Sequence, residues 1–473
     1  MKRLIVVFCG IFFSCNLESQ SEIAVTSQSQ TVAVSGDYDM LYTMVYAVPE
    51  TRSDEIAGKN SFRLTAQTSS RSVSANPSSA VFSAKGTGTS SAAAFYGRLR
   101  DRETELLKSG ASAVAARALS AAAEAVIGES RSFWVFRDSL MIEVSTVCRK
   151  ITENSIFYTE EDAAAVTDEH LDYLASELEE KLPLMREKFG YENDIDGNGK
   201  LIYVIANMGE DIFGYFYAID KYADKRGSNN GDILYINALY FSPFEEYKID
   251  LAATLVHEFQ HMAFFDTLVN RGETQTAAVW INEGLSMLAE FFCGYAEPHE
   301  SYITGTLYNQ GVSLIEDDGD SVDYGLSLLF MRYLQERFGE SFIKGIYSSS
   351  QTGTASVEEA VGVDFNTLFE DFVKMILLTG RNVTTDSRYD IPAFNYTEGT
   401  AGYDENGFCL YQLIDDIYGT FEFSQTIDLR RSYGMNVENM KNYSFYLFKW
   451  SNRPVTLFQF DATDTVNFET GAF

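Results

Sequence analysis

The strongest constraint on this chain is the stretch from Leu251 to Glu290. It begins LAATLVHEFQHMAFF and, after the polar break NRGETQT at 270–276, continues AAVWINEGLSMLAE. Both halves repeat apolar residues at helical spacing, so two consecutive core-facing helices are expected, over 245–269 and 277–293. His257 and His261 stand at i and i+4, one turn apart on one face. Two imidazoles so placed can grip one zinc ion, and Glu258, next to the first, can reach a metal-bound water. Glu283, 22 residues after His261, offers a carboxylate from the second helix. Two His, one Glu and one open position make a hydrolytic zinc site. The H-E-x-x-H pattern alone occurs by chance in many helices. It is strengthened here by the apolar positions around it, by Glu283, and by the chain having only 4 His, two of them in the motif. The bland alternative is two buried His satisfied by hydrogen bonds.

At 473 residues the chain exceeds one ordinary core, so about two to four domains are expected. A net charge of −32 argues against nucleic acid or anionic membranes as partners, because phosphate is repelled. Its plainest consequence is solubility. Met1-Lys2-Arg3 followed by apolar Leu4 to Phe13 reads as an export signal, far short of the roughly 20 residues that span a bilayer. Ser14-Cys15 resembles a bacterial lipoprotein cleavage site, although Phe12 stands where such sites favour Leu. A lipid anchor at Cys15 would then be the only membrane attachment, and plain secretion is the other reading. Either places the protein outside the cytoplasm. Beyond Cys9 and Cys15, the remaining Cys148, Cys293 and Cys409 have no metal-type spacing. Cys293 reads as a buried thiol, and any two of the three could pair.

Residues 16–92 read as a Ser-rich tether and low-complexity region, with β-like segments at 37–49 and 62–65. A helix is expected within 94–125, and strands at SFWVF, LMIEVSTVCRKI and SIFYT from Ser132 onward. An amphipathic helix follows over 167–189, with Thr167 as N-cap, His170 on its polar face, Pro183 as a kink and Gly190 as its stop. In NDIDGNGK, Asp194, Asp196 and Asn198 alternate like the first half of a calcium loop, but Ile205 stands where the closing acid belongs. Calcium is one reading; a turn into the strand LIYVI explains the same residues. Residues 211–226 read as loop, and Asp232 to Tyr240 as a strand that could bind a substrate backbone by strand addition. Residues 296–323 read as acidic loop, then helices at 324–338, 340–348, 355–361 and 364–379, and β-like runs including FCLYQL after 385. The domain expectation is a signal at 1–15, the tether at 16–92, a first catalytic part at 93–290, a helical part at 291–384 and a β-rich domain at 385–473.

H-E-F-Q-H followed by W-I-N-E-G-L-S-M-L-A-E resembles the gluzincin metallopeptidases, and among them the hyicolysin-type family of bacterial neutral metallopeptidases. The D-I-D-G-N-G-K stretch and a Tyr-Gly helix belong to the same likeness, which spans roughly 130 to 380. The resemblance implies an α+β zincin-type catalytic domain: a mixed sheet with the active-site helix, then a helical subdomain, with flanking β-rich regions. It also implies a zinc endopeptidase acting on polypeptides, with ligands His257, His261 and Glu283 and the catalytic Glu258. A metzincin site is excluded, since Phe264 stands where its Gly is needed and no third His follows in the helix. Thermolysin-type enzymes carry an Asp four residues past the Glu ligand, where Met287 stands here. Glu290, on the same helix face as Glu283, could orient a His ligand, and its alternative is a surface Glu. Asn282 is a weaker candidate for that task. An oxyanion donor is needed besides zinc. Tyr324, before Gly325, resembles the gluzincin Tyr and is preferred over His299. The contrasting reading is a surface adhesin or binding lipoprotein whose zinc site is vestigial or structural. The Tyr-rich C-terminal region and the long tether motivate it; a complete Glu258 speaks against it.

Overall fold

The computed structural model describes residues 8–9, 30–33, 41–49, 51–55, 60–68, 80–82, 91–110, 125–209, 212–295, 299–308, 311–316, 321–382, 384–395, 409–414, 426–428, 435–451, 455–462 and 466–472. Cys15 and its expected lipid anchor lie outside them, as does most of the export signal.

Strands β1 (Phe8–Cys9), β2 (Gln30–Ala33), β3 (Leu41–Ala47), β4 (Asn60–Thr68) and β5 (Ala80–Phe82) precede helix α1 (Ser91–Lys108). Then β6 (Ser130–Arg137) and β7 (Leu140–Ile151) form an antiparallel hairpin, joined to β8 (Ser155–Glu160). The two residues of the β6–β7 turn, Asp138 and Ser139, both have positive φ, 47° and 64°, as a tight hairpin turn requires. Helix α2 (Asp168–Phe189) starts at the expected N-cap. The Thr167 side chain accepts from the backbone N–H of His170, and the His170 ring accepts from the Thr167 N–H. The His170 ring also stacks on Phe244 at 4.0 Å.

Strands β9 (Leu201–Ala206), β10 (Gly214–Phe216) and β11 (Ile233–Asn237) complete a six-stranded sheet in the order β10-β11-β9-β8-β7-β6. The pairs β8–β9 and β9–β11 are parallel, and β10 runs antiparallel on the edge. All residues of β8, β9 and β11 are buried, as expected for strands covered on both faces. The edge strand beside β11 is therefore Gly214–Phe216, from a segment that reads as loop. The stretch 232–240 supplies an interior strand: its continuous apolar run is what two-sided burial demands.

Helix α3 (Phe244–Arg271) packs on β10, β11 and α2, and is capped by left-handed Gly272. Helices α4 (Val279–Phe292), α5 (His299–Tyr308), α6 (Ser321–Phe338), α7 (Ser341–Ser348), α8 (Thr354–Val361) and α9 (Phe365–Leu378) follow. Helix α5 occupies part of the expected acidic loop, because Ile303 and Leu307 give it a buried face. Among the described residues no helix is long and apolar enough to cross a membrane.

Strands β12 (Thr426–Asp428), β13 (Met435–Met440), β14 (Phe445–Ser451), β15 (Val455–Ala462) and β16 (Val466–Ala472) lie in two five-stranded sheets, β1-β16-β3-β14-β12 and β2-β15-β4-β13-β5. Both ends of the chain thus share these sheets. FCLYQL contributes a helical turn at 410–414 and one bridge, Asn395 to Cys409, instead of a strand. The architecture is mixed helix and sheet with a helical region after α3.

Candidate metal centre

Helix α3 brings His257, Glu258 and His261 to the boundary between the sheet and α4. A buried ion group fastens it there: Lys221 Nζ donates to Asp232 and to Asp266 of α3, each at 2.8 Å. Helix α4 presents Glu283 and Glu290 because its neighbour comes very close. A Cβ at Gly284 would lie 2.8 Å from Met331 Cγ and 3.2 Å from the Ser327 carbonyl, both on α6. Gly325 plays the same part between α6 and α5, where a Cβ would stand 2.2 Å from the Tyr302 carbonyl. That contact brings Tyr324 beside the site, with its ring 6.4 Å from the His257 ring.

The predicted ligand residues converge. His257 Nε2 lies 3.2 Å from Glu283 Oε2, and His261 Nε2 lies 3.4 Å from the same oxygen. Zinc bonds of about 2.0–2.1 Å in a tetrahedron require donor–donor edges of roughly 3.3–3.4 Å, so this donor set fits zinc. His257 Nδ1 is 2.7 Å from Glu290 Oε1. A carboxylate only accepts, so this contact takes a proton on Nδ1, while Nε2 faces the Glu283 carboxylate, a contact that a bound metal would replace. The other Glu290 oxygen meets His299 Nε2 at 3.1 Å. Both His299 and Glu290 are buried. The His299 ring is thus buried against Glu290. Ser286 Oγ lies 3.2 Å from both Nδ1 and Nε2 of the His261 ring. Ser286 also hydrogen-bonds Gln260, whose Nε2 donates to Tyr347 at 2.9 Å. Asn282 is buried in the same helix, but its Oδ1 has no hydrogen-bond partner among the described residues.

Burial alone would lower the His257 pKa, but hydrogen bonds to Glu283 and Glu290 outweigh it and carry it up to about 10. Burial would raise Glu290, yet its bonds to His257 and His299 hold it at about 2. His261 is pushed down by burial and by the Arg100 guanidinium. The carboxylates thus favour positive charge on His257, while burial and Arg100 disfavour it on His261.

Glu258 Oε2 accepts from the backbone N–H of Phe216 on the edge strand at 2.8 Å. Three residues of α1 also reach this centre, and none was singled out from the sequence. Arg100 Nε lies 3.4 Å from Glu283 Oε1 and its Nη2 4.0 Å from Glu258 Oε2. Glu103 pairs with Arg100, and the Tyr96 hydroxyl donates to the Gly214 carbonyl at 2.9 Å. A signal existed: Arg100 and Glu103 interrupt the apolar stripe Phe95, Leu99, Leu106 on one helix face.

A second carboxylate group joins Asp194, Asp196 and Asp232. Its oxygens are already engaged. Asp194 accepts from the N–H groups of Gly197 and Gly199, Asp196 from Asn198, and Asp232 from Lys221 and the Ile195 N–H. The turn reading accounts for these residues, and calcium finds no support. Cys148, Cys293 and Cys409 are buried and form no disulfide with one another.

No protein-family model matches the chain. A neutral metalloprotease, ShpI of Staphylococcus hyicus, is 28% identical over 216 residues, covering 41% of this chain and 49% of that protein. This chain is a relative of a metalloprotease. The match spans about half the length of that relative. Among solved structures, native yeast LTA4 hydrolase aligns with a TM-score of 0.32 and 14% identity, over 51% of this chain and 44% of that one. A likeness at that level carries no weight for fold or function.

Proposed function

We propose that the protein is an exported zinc endopeptidase of the hyicolysin type, built on a zincin-type catalytic domain. The observation that carries this reading is the convergence of His257 Nε2 and His261 Nε2 on Glu283 Oε2, at 3.2 and 3.4 Å, with Glu258 on the helix that carries both His. The relationship to a neutral metalloprotease supports polypeptides as substrates.

His257, His261 and Glu283 would hold zinc, which would supply Lewis acidity toward a water and the scissile carbonyl. Glu258 is the general base: it takes a proton from the attacking water and passes it to the leaving amine. Its bond to the Phe216 N–H fixes the carboxylate against the edge strand. That strand offers its backbone to an extended substrate. Tyr324 donates to the developing oxyanion from the His257 side of the site. Glu290 and, through it, His299 hold the His257 ring in register.

The test compares hydrolysis of denatured casein by wild type and Glu258→Gln, with and without chelator. Chelator-sensitive turnover that Glu258→Gln lacks is expected. Turnover intact in Glu258→Gln overturns the assignment.

A further inference from the structure

The proposed cleft has two working parts, the ligand cluster and the free side of edge strand β10, and helix α1 lies on both. In a strand, residues two apart point their backbone groups to the same side. The Gly214 carbonyl and the Phe216 N–H are such a pair, and β10 has no second neighbour among the described strands. An added substrate strand would use the first of these groups, since the second stays with Glu258. Tyr96 of α1 already caps the first, and Glu258 takes the second. One turn further along α1, the Arg100 guanidinium enters the ligand cluster, between Glu283 and Glu258. It is only 3% exposed, and its Nε and Nη2 make no hydrogen bond of good geometry. A buried cation with unsatisfied donors beside a metal ligand competes with a metal for the same carboxylate. Phe95 anchors the helix through edge-to-face contacts with Phe136 and with Tyr215 of β10, at 5.4 and 5.5 Å.

We propose that α1 is an inhibitory latch built into the chain: Tyr96 blocks strand addition on β10, Arg100 holds the ligand cluster against zinc, and α1 must leave before a polypeptide can bind. This rests on the peptidase reading for its substrate, but not for its effect on metal binding. Glu103 belongs to the latch as the internal partner that brings the guanidinium into the core. Burial, against the pull of Arg100, pushes its carboxyl up to about 7.

Zinc binding and latch closure are linked, because each state of α1 has its own affinity for the metal. The full chain is compared with Arg100→Gln and Tyr96→Phe by two readouts: zinc affinity, from competition with a chromogenic chelator, and hydrolysis of a quenched fluorescent peptide. Arg100→Gln is expected to tighten zinc and to speed hydrolysis, each by about tenfold or more. Tyr96→Phe is expected to speed hydrolysis by a smaller factor and to leave zinc affinity unchanged, since only the strand contact is lost. Arg102→Gln, an exposed change on the same helix, should alter neither. Should Arg100→Gln fold poorly, Arg100→Gln/Glu103→Gln removes both buried charges together and should give the same two gains. Unchanged zinc affinity with unchanged hydrolysis overturns the latch. So does lost hydrolysis at unchanged zinc affinity, which would make Arg100 an aid to turnover. Tighter zinc with no hydrolysis by any chain upholds the latch at the metal and overturns the peptidase reading instead.

Discussion

Glu290 offers the sharpest test of how the ligand cluster is organised. Its two oxygens hold His257 Nδ1 at 2.7 Å and His299 Nε2 at 3.1 Å, in a pocket where Glu290 is 6% exposed. Glu290→Ala removes the acceptor that fixes both the proton position and the ring angle of His257. Losing such an outer carboxylate typically weakens metal binding about 10–100-fold, which is roughly 1.4–2.7 kcal/mol. Glu290→Gln keeps an acceptor oxygen and loses only the charge, so its loss should fall near the lower bound. His299→Ala acts on the metal only through Glu290 and should cost less than Glu290→Ala. The double variant should then bind zinc no more weakly than Glu290→Ala alone. Zinc dissociation constants for the four chains, measured by chelator competition, give the cycle. Strict additivity of the two single losses, or a Glu290→Ala chain with wild-type affinity, refutes the relay.

Gly284→Ala places a Cβ against Met331 and the Ser327 carbonyl, so overpacking should cost about 1–3 kcal/mol in urea unfolding and weaken zinc by shifting Glu283. Lys221→Met leaves Asp232 and Asp266 buried without their cation and should destabilise by about 3–5 kcal/mol; a loss below about 1 kcal/mol would mean the group does not fasten α3. Burial, against hydrogen bonds from Tyr235 and the Asn229 N–H, pushes Asp220 up to about 7. The native state therefore keeps a proton that the unfolded chain releases near pH 3.9, so this group's stabilisation is full below about pH 4 and declines as pH rises to about 7. Asp220→Asn should flatten that part of the stability profile, read from unfolding midpoints across pH, by up to about 4 kcal/mol.

Apart from α5, which reads as acidic loop, the main helices were legible from apolar faces at helical spacing and local stops. Thr167 and Gly190 bound α2, and Gly272 ends α3. The ligand set was legible for the same reason: spacing on a helix fixes which side chains meet. The edge strand was not, since Gly214–Phe216 is too short for an alternating pattern and is identified by its pairing with β11. Long-range pairing also decides where β12–β16 go. Their sequences show strands, but nothing local tells Phe445 that it lies opposite Tyr46. The role of α1 was hidden in another way. Arg100 and Glu103 read as ordinary helix charges until their shared face is seen to be the buried one.

The central claim is that His257, His261 and Glu283 hold zinc while Glu258 does the proton work. Metal content and casein hydrolysis of wild type, Glu283→Ala and Glu258→Gln, measured side by side, test it most directly. Zinc is expected in wild type and Glu258→Gln and lost from Glu283→Ala, with chelator-sensitive hydrolysis in wild type alone. Undiminished zinc in Glu283→Ala, or turnover intact in Glu258→Gln, would contradict the account.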